Sequence, residues 1–305
     1  MNILVIGGSY FFGKAFVGEA LKKGHKLTLV NRGTRSACID GLANAENFKL
    51  IKGDRHDPGL WKNIENYDVI VDFCGYAEGD IALVTDNIKK LPEHYIFIST
   101  VDVFRRQMNC VKDETAPYED RLTKDMGQEA EYILGKIVLE QELISKCREN
   151  GMAYTILRPA ILYGPGNYAP RESLYLRYMK EAKILPEVCG AAGKFQMVYV
   201  EDAAKAVLLS VEKEAARNQT FNICPQQTVG YEDFFDALKS VWNDLEYQEI
   251  HMSPESAMSQ GAPLPFPVFE NETEIYSGEK SERILGVEYV SLLEGLRRTR
   301  QLSGE

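Results

Sequence analysis

The sequence predicts an α/β protein built on a doubly wound parallel sheet with a smaller C-terminal lobe. Three observations lead there: short β-rich apolar runs alternating with longer amphipathic stretches, a glycine-rich heptad directly after the first run, and looser Pro- and Gly-punctuated sequence after Pro159.

The first run, Ile3-Leu4-Val5-Ile6, reads as a buried strand over 2–6. Further strands are expected at 26–30, 48–51, 68–72, 95–99 and 153–157, with helices from Gly13 to Lys23 and from Asp125 to Glu149. The second helix stops at Asn150-Gly151, a sequence suited to a left-handed C-terminal turn. Parallel strands need helical crossovers, and right-handed crossovers on both faces give the doubly wound arrangement. Beyond Pro159, a turn-rich Tyr163-Gly164-Pro165-Gly166-Asn167 and the prolines 254, 263, 265 and 267 mark loops. A strand at 196–200, a helix at 203–211 and a strand at 220–223 lie between them, the last a candidate to return to the main sheet. The expected division is therefore 1–163 with 196–225 as a nucleotide-binding body, and 164–195 with 226–305 as a lobe for substrate.

Composition narrows the function. The 305 residues are 45% hydrophobic and 26% charged, enough for a sizeable core. A formal charge of −10 with dispersed Lys and Arg works against nucleic-acid binding through phosphates. Met1 leads almost at once into the first strand, without the basic and apolar regions of a signal peptide, and no run approaches membrane length. The expected location is cytoplasmic. Six cysteines (Cys38, Cys74, Cys110, Cys147, Cys189, Cys224) and four histidines (His25, His56, His94, His251) are far apart, with no C-x-x-C pair. Reduced thiols are favoured over a metal site or a disulfide framework.

The heptad Gly7-Gly8-Ser9-Tyr10-Phe11-Phe12-Gly13 joins the first strand to a helix expected to begin near Lys14. Such a loop lets the main chain approach a pyrophosphate, while the helix N-terminus offers free N–H groups. About twenty residues on, where a carboxylate commonly holds the ribose hydroxyls of NAD, the chain has Asn31 and Arg32. Arg32 suits a 2′-phosphate, which tilts the cofactor from NAD toward NADP, with an exposed arginine at a strand end as the alternative. Asp54, after the third strand, is a candidate for the adenine, with a plain turn residue as the alternative.

Tyr132 and Lys136, four apart in a helical pattern, share one face, where a plain stacking pair is the alternative to a reactive one. A phenol of ordinary pKa is ionised about once in a thousand at neutral pH, and a nearby ammonium can raise that fraction. Ser99 and Thr100 end a strand, where ligands of open α/β sheets bind, and could polarise a substrate oxygen.

Taken in order, the glycine loop, Ser99-Thr100-Val101-Asp102-Val103-Phe104, Tyr132-x-x-x-Lys136, Leu157-Arg158-Pro159 and Tyr163-Gly164-Pro165 resemble the extended short-chain dehydrogenases/reductases, the NAD-dependent epimerase/dehydratase family. The resemblance spans essentially the whole chain and implies a Rossmann-type sheet. The heptad and Val30-Asn31-Arg32-Gly33 look closer to an atypical branch that includes plastid RNA-binding members. By position it implies Thr100 as the catalytic hydroxyl, Tyr132 as acid/base and Lys136 as the residue that binds the nicotinamide ribose and lowers the Tyr pKa. It also implies cofactor contacts from Gly7, Gly8, Ser9, Tyr10, Phe12 and Gly13, from Cys74, Gly75 and Tyr76 after the fourth strand, from Ser99, and from Pro159 and Ile161. Arg171 is a candidate for an anionic substrate group, with an exposed, solvated Arg as the alternative. Three departures stand out: Tyr10 replaces the central loop glycine, Val101 replaces the acid of a 4,6-dehydratase, and Ile161 replaces an Asn of many nucleotide-sugar epimerases.

The expected function is an NAD(P)-dependent epimerase or oxidoreductase acting on a sugar nucleotide or a similar small molecule. The competing reading is a non-catalytic dinucleotide-binding or RNA-associated protein. A second copy of the chain is a candidate partner.

Overall fold

The computed structural model describes residues 1–34, 45–107, 110–262 and 264–302, so Cys38 and Pro263 lie outside the described residues. In chain order the elements are β1 (Asn2–Ile6), α1 (Phe11–Lys22), β2 (Lys26–Asn31), β3 (Phe48–Lys52), α2 (Pro58–Lys62), β4 (Val69–Asp72), α3 (Asp80–Thr85), β5 (His94–Ile98), β6 (Val111–Lys112) and α4 (Gln128–Asn150). There follow β7 (Ala153–Pro159), β8 (Ile161–Tyr163), α5 (Glu172–Arg177), β9 (Ile184–Val188), β10 (Met197–Tyr199), α6 (Val200–Glu212), β11 (Gln219–Ile223), α7 (Tyr231–Val241), β12 (Gln248–Met252), α8 (Pro254–Ser259), β13 (Ile275–Tyr276) and α9 (Leu292–Leu302).

Seven strands form one parallel sheet in the order β11-β7-β5-β4-β1-β2-β3. The order reverses between β1 and β4, and the crevice at that reversal is where open α/β sheets take ligands. Period-two alternation sends Ile3, Val5, Leu27, Leu29 and Ile96 into a core with α1 and α6, and Leu4, Ile6, Val30, Ile70 and Phe97 into a core with α4 and Trp61. Because both faces are covered, the strands read as continuous apolar runs. Another apolar cluster, with Phe195, Phe234, Trp242, Phe266 and Leu296, gathers α7, α9 and β9.

The expected strands form within one or two residues of their predicted bounds. Two local expectations change. The first helix begins at Phe11, because Phe11 turns through a left-handed φ of 43° and its ring and that of Phe12 are buried. The strand expected at 196–200 shortens to β10 and pairs with β8 outside the main sheet, while helix α6 starts at Val200. The later strand, β11, does return to the main sheet, as the edge neighbour of β7.

Candidate active site

Gly7 and Gly8 leave β1 with φ of 84° and 79°, a region that penalises side chains. A Cβ on Gly13 would lie 2.1 Å from the Gly8 Cα, so the first turn of α1 presses directly on the loop. The free N–H groups of that turn therefore border the crevice. Phe12 packs edge-on against Phe73 at 5.1 Å, tying the loop to the segment after β4.

Beside the loop, α4 brings Tyr132 and Lys136 to the end of β5. Gly135 makes this approach feasible, since a Cβ there would fall 2.1 Å from the Tyr76 carbonyl oxygen. Lys136, 2% exposed, donates to the Ile98 carbonyl at 2.7 Å. Its Nζ stands 4.8 Å from the Tyr76 ring centre and 5.7 Å from that of Tyr132. The Thr100 hydroxyl donates to Asp102 Oδ2 at 2.8 Å and accepts from the Asp102 N–H at 3.2 Å, capping a turn over Val101–Val103. Ser99 Oγ is buried and lacks a hydrogen-bond partner.

Most of the residues singled out from sequence line one cleft of about 1670 Å³; Gly7, Asn31, Asp54 and Gly75 do not. The Asn31 side-chain Oδ1 accepts from the Gly33 N–H at 2.8 Å, shaping the turn that carries Arg32 into the cleft wall. Asp54, expected near an adenine, instead accepts from the His56 N–H at 3.0 Å and is exposed. Gly75 is pressed against the Phe97 ring, where a Cβ would sit 2.9 Å away. Arg171 reaches the cleft, but its Nη1 donates to the Leu162 carbonyl at 3.1 Å, and burial lowers its pKa. The far wall comes from Tyr168, Phe195, Gln196, Phe266 and Glu272. Tyr168 meets Tyr10 with ring centres 5.7 Å apart, so the residue that replaces the loop glycine contacts the facing segment.

The electrostatics differ from the sequence expectation at Tyr132. Although 36% of its surface is open, loss of water around the phenol pushes its pKa up, and Asp102, Tyr76 and Tyr168 add to the rise. The Thr100 hydrogen bond opposes it. Burial lowers the Lys136 pKa to about 8 despite the Asp72 carboxylate. The lysine ammonium is thus held by a backbone carbonyl rather than by the phenol. Burial also pushes the Cys74 thiol up to about 12, so it is neutral at physiological pH.

Sequence reasoning missed the support beneath. Asp72, fully buried at the end of β4, receives Arg55 Nη1 and Nη2 at 3.0 and 3.1 Å and the Tyr95 hydroxyl at 2.8 Å. Burial works against its charge, but Arg55 holds its pKa below the usual carboxylate value. An Asp ending the apolar run Val69-Ile70-Val71 was the available signal, but its partner lies seventeen positions away in the turn between β3 and α2. Glu140 and Arg158 form a similar buried pair, joined by Tyr118.

Comparison with known proteins bears on this site. The model of the NAD dependent epimerase/dehydratase family matches residues 3–224. The chloroplast stem-loop binding protein of 41 kDa b from Arabidopsis thaliana is 28% identical over 307 aligned residues, spanning 97% of this chain and 77% of that protein. UDP-glucose 4-epimerase from Vibrio cholerae is 26% identical over 148 residues, 47% of this chain and 42% of the epimerase. Among solved structures, UDP-glucuronic acid 4-epimerase from Bacillus cereus, in complex with UDP-glucuronic acid and NAD, has a TM-score of 0.76 at 17% identity, covering 99% of this chain and 100% of that one. UDP-glucose 4-epimerase from Thermotoga maritima, with UDP-glucose, has a TM-score of 0.76 at 22% identity and full coverage of both chains. At these identities the structural likeness establishes the fold. Among the described residues no helix is long and apolar enough to cross a membrane.

Proposed function

The chain belongs to the NAD dependent epimerase/dehydratase family, and we propose that it is a nicotinamide-dependent epimerase or oxidoreductase acting at a hydroxyl or keto carbon of a sugar nucleotide or similar small molecule. One observation carries the reading: Thr100, Tyr132 and Lys136 line the same cleft as the glycine loop, which continues to the facing wall from Tyr168 to Glu272. UDP-glucuronic acid and UDP-glucose in two structures of the same fold support the substrate class.

A dinucleotide fits the residues present. The Gly8–Gly13 approach leaves bare backbone at the head of α1, suited to a pyrophosphate, and the unpartnered Ser99 hydroxyl and the buried Lys136 ammonium lie farther along the cleft. Gly8, Ser9, Tyr10, Phe12 and Gly13 would hold the phosphates, Arg32 the adenosine ribose, and Cys74, Tyr76, Ser99, Pro159 and Ile161 the remainder, whereas Gly7, Asn31 and Gly75 would shape the backbone behind them. When bound, the nicotinamide supplies reversible hydride acceptance at a carbon. Tyr132 exchanges the proton of the substrate oxygen, Thr100 donates a hydrogen bond to that oxygen, and Lys136 holds the ribose hydroxyls and adds positive charge beside the phenol. Arg171 would meet an anionic group of the substrate. Val101 offers no acid or base, so 4,6-dehydration is disfavoured.

Tyr132→Phe tests the mechanism: it should retain dinucleotide affinity while hydride transfer to or from a sugar-nucleotide panel falls by roughly 10² to 10⁴-fold. Undiminished transfer would remove Tyr132 from the chemistry. Arg32 and the lack of a carboxylate at the end of β2 support a preference for NADP. Arg32→Ala should then weaken NADP more than NAD; equal losses, or equal wild-type affinities, would defeat the preference.

A second reading, RNA association, is favoured by the similarity to the chloroplast stem-loop binding protein. The charge of −10 opposes it. Retention on a stem-loop RNA at moderate salt, without turnover of any sugar nucleotide, would make it the better account.

A further inference from the structure

Away from the cleft, β9 and β12 form a two-stranded parallel ribbon in which His251 is directly paired with Glu187. Side chains two apart on a strand share a face, so Glu187 and Cys189 flank His251 on one side of this ribbon, with Glu249 two residues before the histidine. The Cys189 N–H continues the ladder by donating to the Met252 carbonyl at 2.9 Å, which fixes the backbone beneath the thiol. Cys189 Sγ stands 3.4 Å from His251 Nδ1, and Glu187 Oε2 stands 3.7 Å from the same nitrogen. All three donor atoms lie within 4.8 Å of one another.

We infer that Glu187, Cys189 and His251 form a binding site for a borderline-soft divalent cation such as Zn²⁺. A thiolate, an imidazole and a carboxylate are the three donor types that zinc takes, with bonds of about 2.0 to 2.3 Å. A tetrahedron with such bonds has ligand-to-ligand edges of roughly 3.3 to 3.8 Å, and the separations of 3.4 and 3.7 Å to His251 Nδ1 fall in that range. The thiol proton and the cation compete for the same space: metal binding releases that proton and leaves a thiolate. The charges then balance, because thiolate and carboxylate neutralise the dication.

The surroundings of the triad support the assignment. Glu249 Oε2 lies 3.6 Å from His251 Nε2, the nitrogen facing away from Sγ. A carboxylate on that side of the ring is the usual outer partner of a metal-bound histidine and favours Nδ1 as the ligand atom. Lys239, from α7, pairs with Glu187 Oε1 at 2.9 Å and lies 3.9 Å from Glu249, so it occupies the carboxylate oxygen that does not face the triad. Glu187 is buried, whereas Cys189 and His251 are exposed, leaving the remaining coordination position to water.

Titration of the tag-free protein with Co²⁺, followed by absorbance, tests the site. Expected are one ion per chain, tetrahedral d–d bands and a thiolate-to-cobalt charge-transfer band, all displaced by Zn²⁺. Cys189→Ser should abolish the charge-transfer band, and Glu249→Gln should weaken affinity roughly 10- to 100-fold while keeping the band. Cys189 and His251 are surface residues, so thermal melting of Cys189→Ser and His251→Ala should match wild type without metal. No charge-transfer band in the wild type, or a band that survives Cys189→Ser, would overturn the assignment.

Discussion

Lys136 carries an unfavourable charge that function can use. Its ammonium is buried against the Ile98 carbonyl, and its pKa falls from 10.5 to about 8. Between pH 8 and 10.5 the unfolded chain therefore holds a proton at this position that the folded chain has released, and stability contributed by this group rises with pH across that window. At neutral pH the folded protein bears the penalty. Lys136→Met should accordingly stabilise the fold at pH 7 by an amount on the order of 1–3 kcal/mol and raise its melting temperature, while dinucleotide affinity and turnover collapse. Calorimetry of the variant at pH 7 and pH 10 is the check: the stabilisation should shrink at the higher pH, and a destabilised variant at pH 7 would show that the lysine is held for packing alone. The Tyr-x-x-x-Lys spacing was legible in the sequence, but the sign of the phenol shift was not. It depends on the loss of water around the phenol and on charge interactions with Asp102, Tyr76 and Tyr168, all brought from other segments.

Elements place these residues by close approach. At the head of α1 the requirement is backbone against backbone: Gly13 meets the Gly8 Cα, which leaves no side chain to yield. Gly13→Ala should cost about 1–3 kcal/mol from overpacking and lower dinucleotide affinity, because the loop must move off the helix. Melting and a dinucleotide binding isotherm measure both, and unchanged affinity would show that the head of α1 does not shape the phosphate site. The heptad announced this contact by its composition and position. Gly135 gave no comparable signal, since one glycine inside a strong helix pattern has many explanations; the Tyr76 carbonyl that requires it lies on the segment after β4. Helix α1 starts at Phe11 rather than Gly13 for a related reason: a φ of 43° at a non-glycine residue is not encoded in Phe11 itself.

Across the whole molecule, stability should decline in acid before the carboxylates are protonated. His94, 1% exposed in β5, has its ring Nε2 2.8 Å from Thr155 Oγ1, and burial lowers its pKa from 6.5 to about 4, with Arg217 adding to the fall. Below pH 6.5 the unfolded chain takes up a proton here that the folded sheet refuses until about pH 4, so stability drops through that window. His94→Gln should flatten the decline between pH 6.5 and 4 in denaturant melts and leave the later loss, when paired carboxylates such as Asp72 are protonated, intact. An unchanged slope would place the acid sensitivity elsewhere.

The sequence by itself determined the sheet and the positions of its reactive letters. Apolar runs of five residues separated by amphipathic stretches are local patterns, and they are sufficient because parallel strands buried on both faces tolerate little polarity. The glycine heptad, the Ser99-Thr100 strand end and the Tyr132–Lys136 spacing are local in the same sense. What only the tertiary structure decided were relations between distant segments: the Arg55–Asp72–Tyr95 support, the Tyr10–Tyr168 contact across the cleft, and the meeting of Glu187 and Cys189 with His251. Scattered cysteines and histidines gave no metal pattern in sequence, because a ribbon pairing β9 with β12 joins residues more than sixty positions apart. Such pairing rests on register and burial, which no short window of sequence contains.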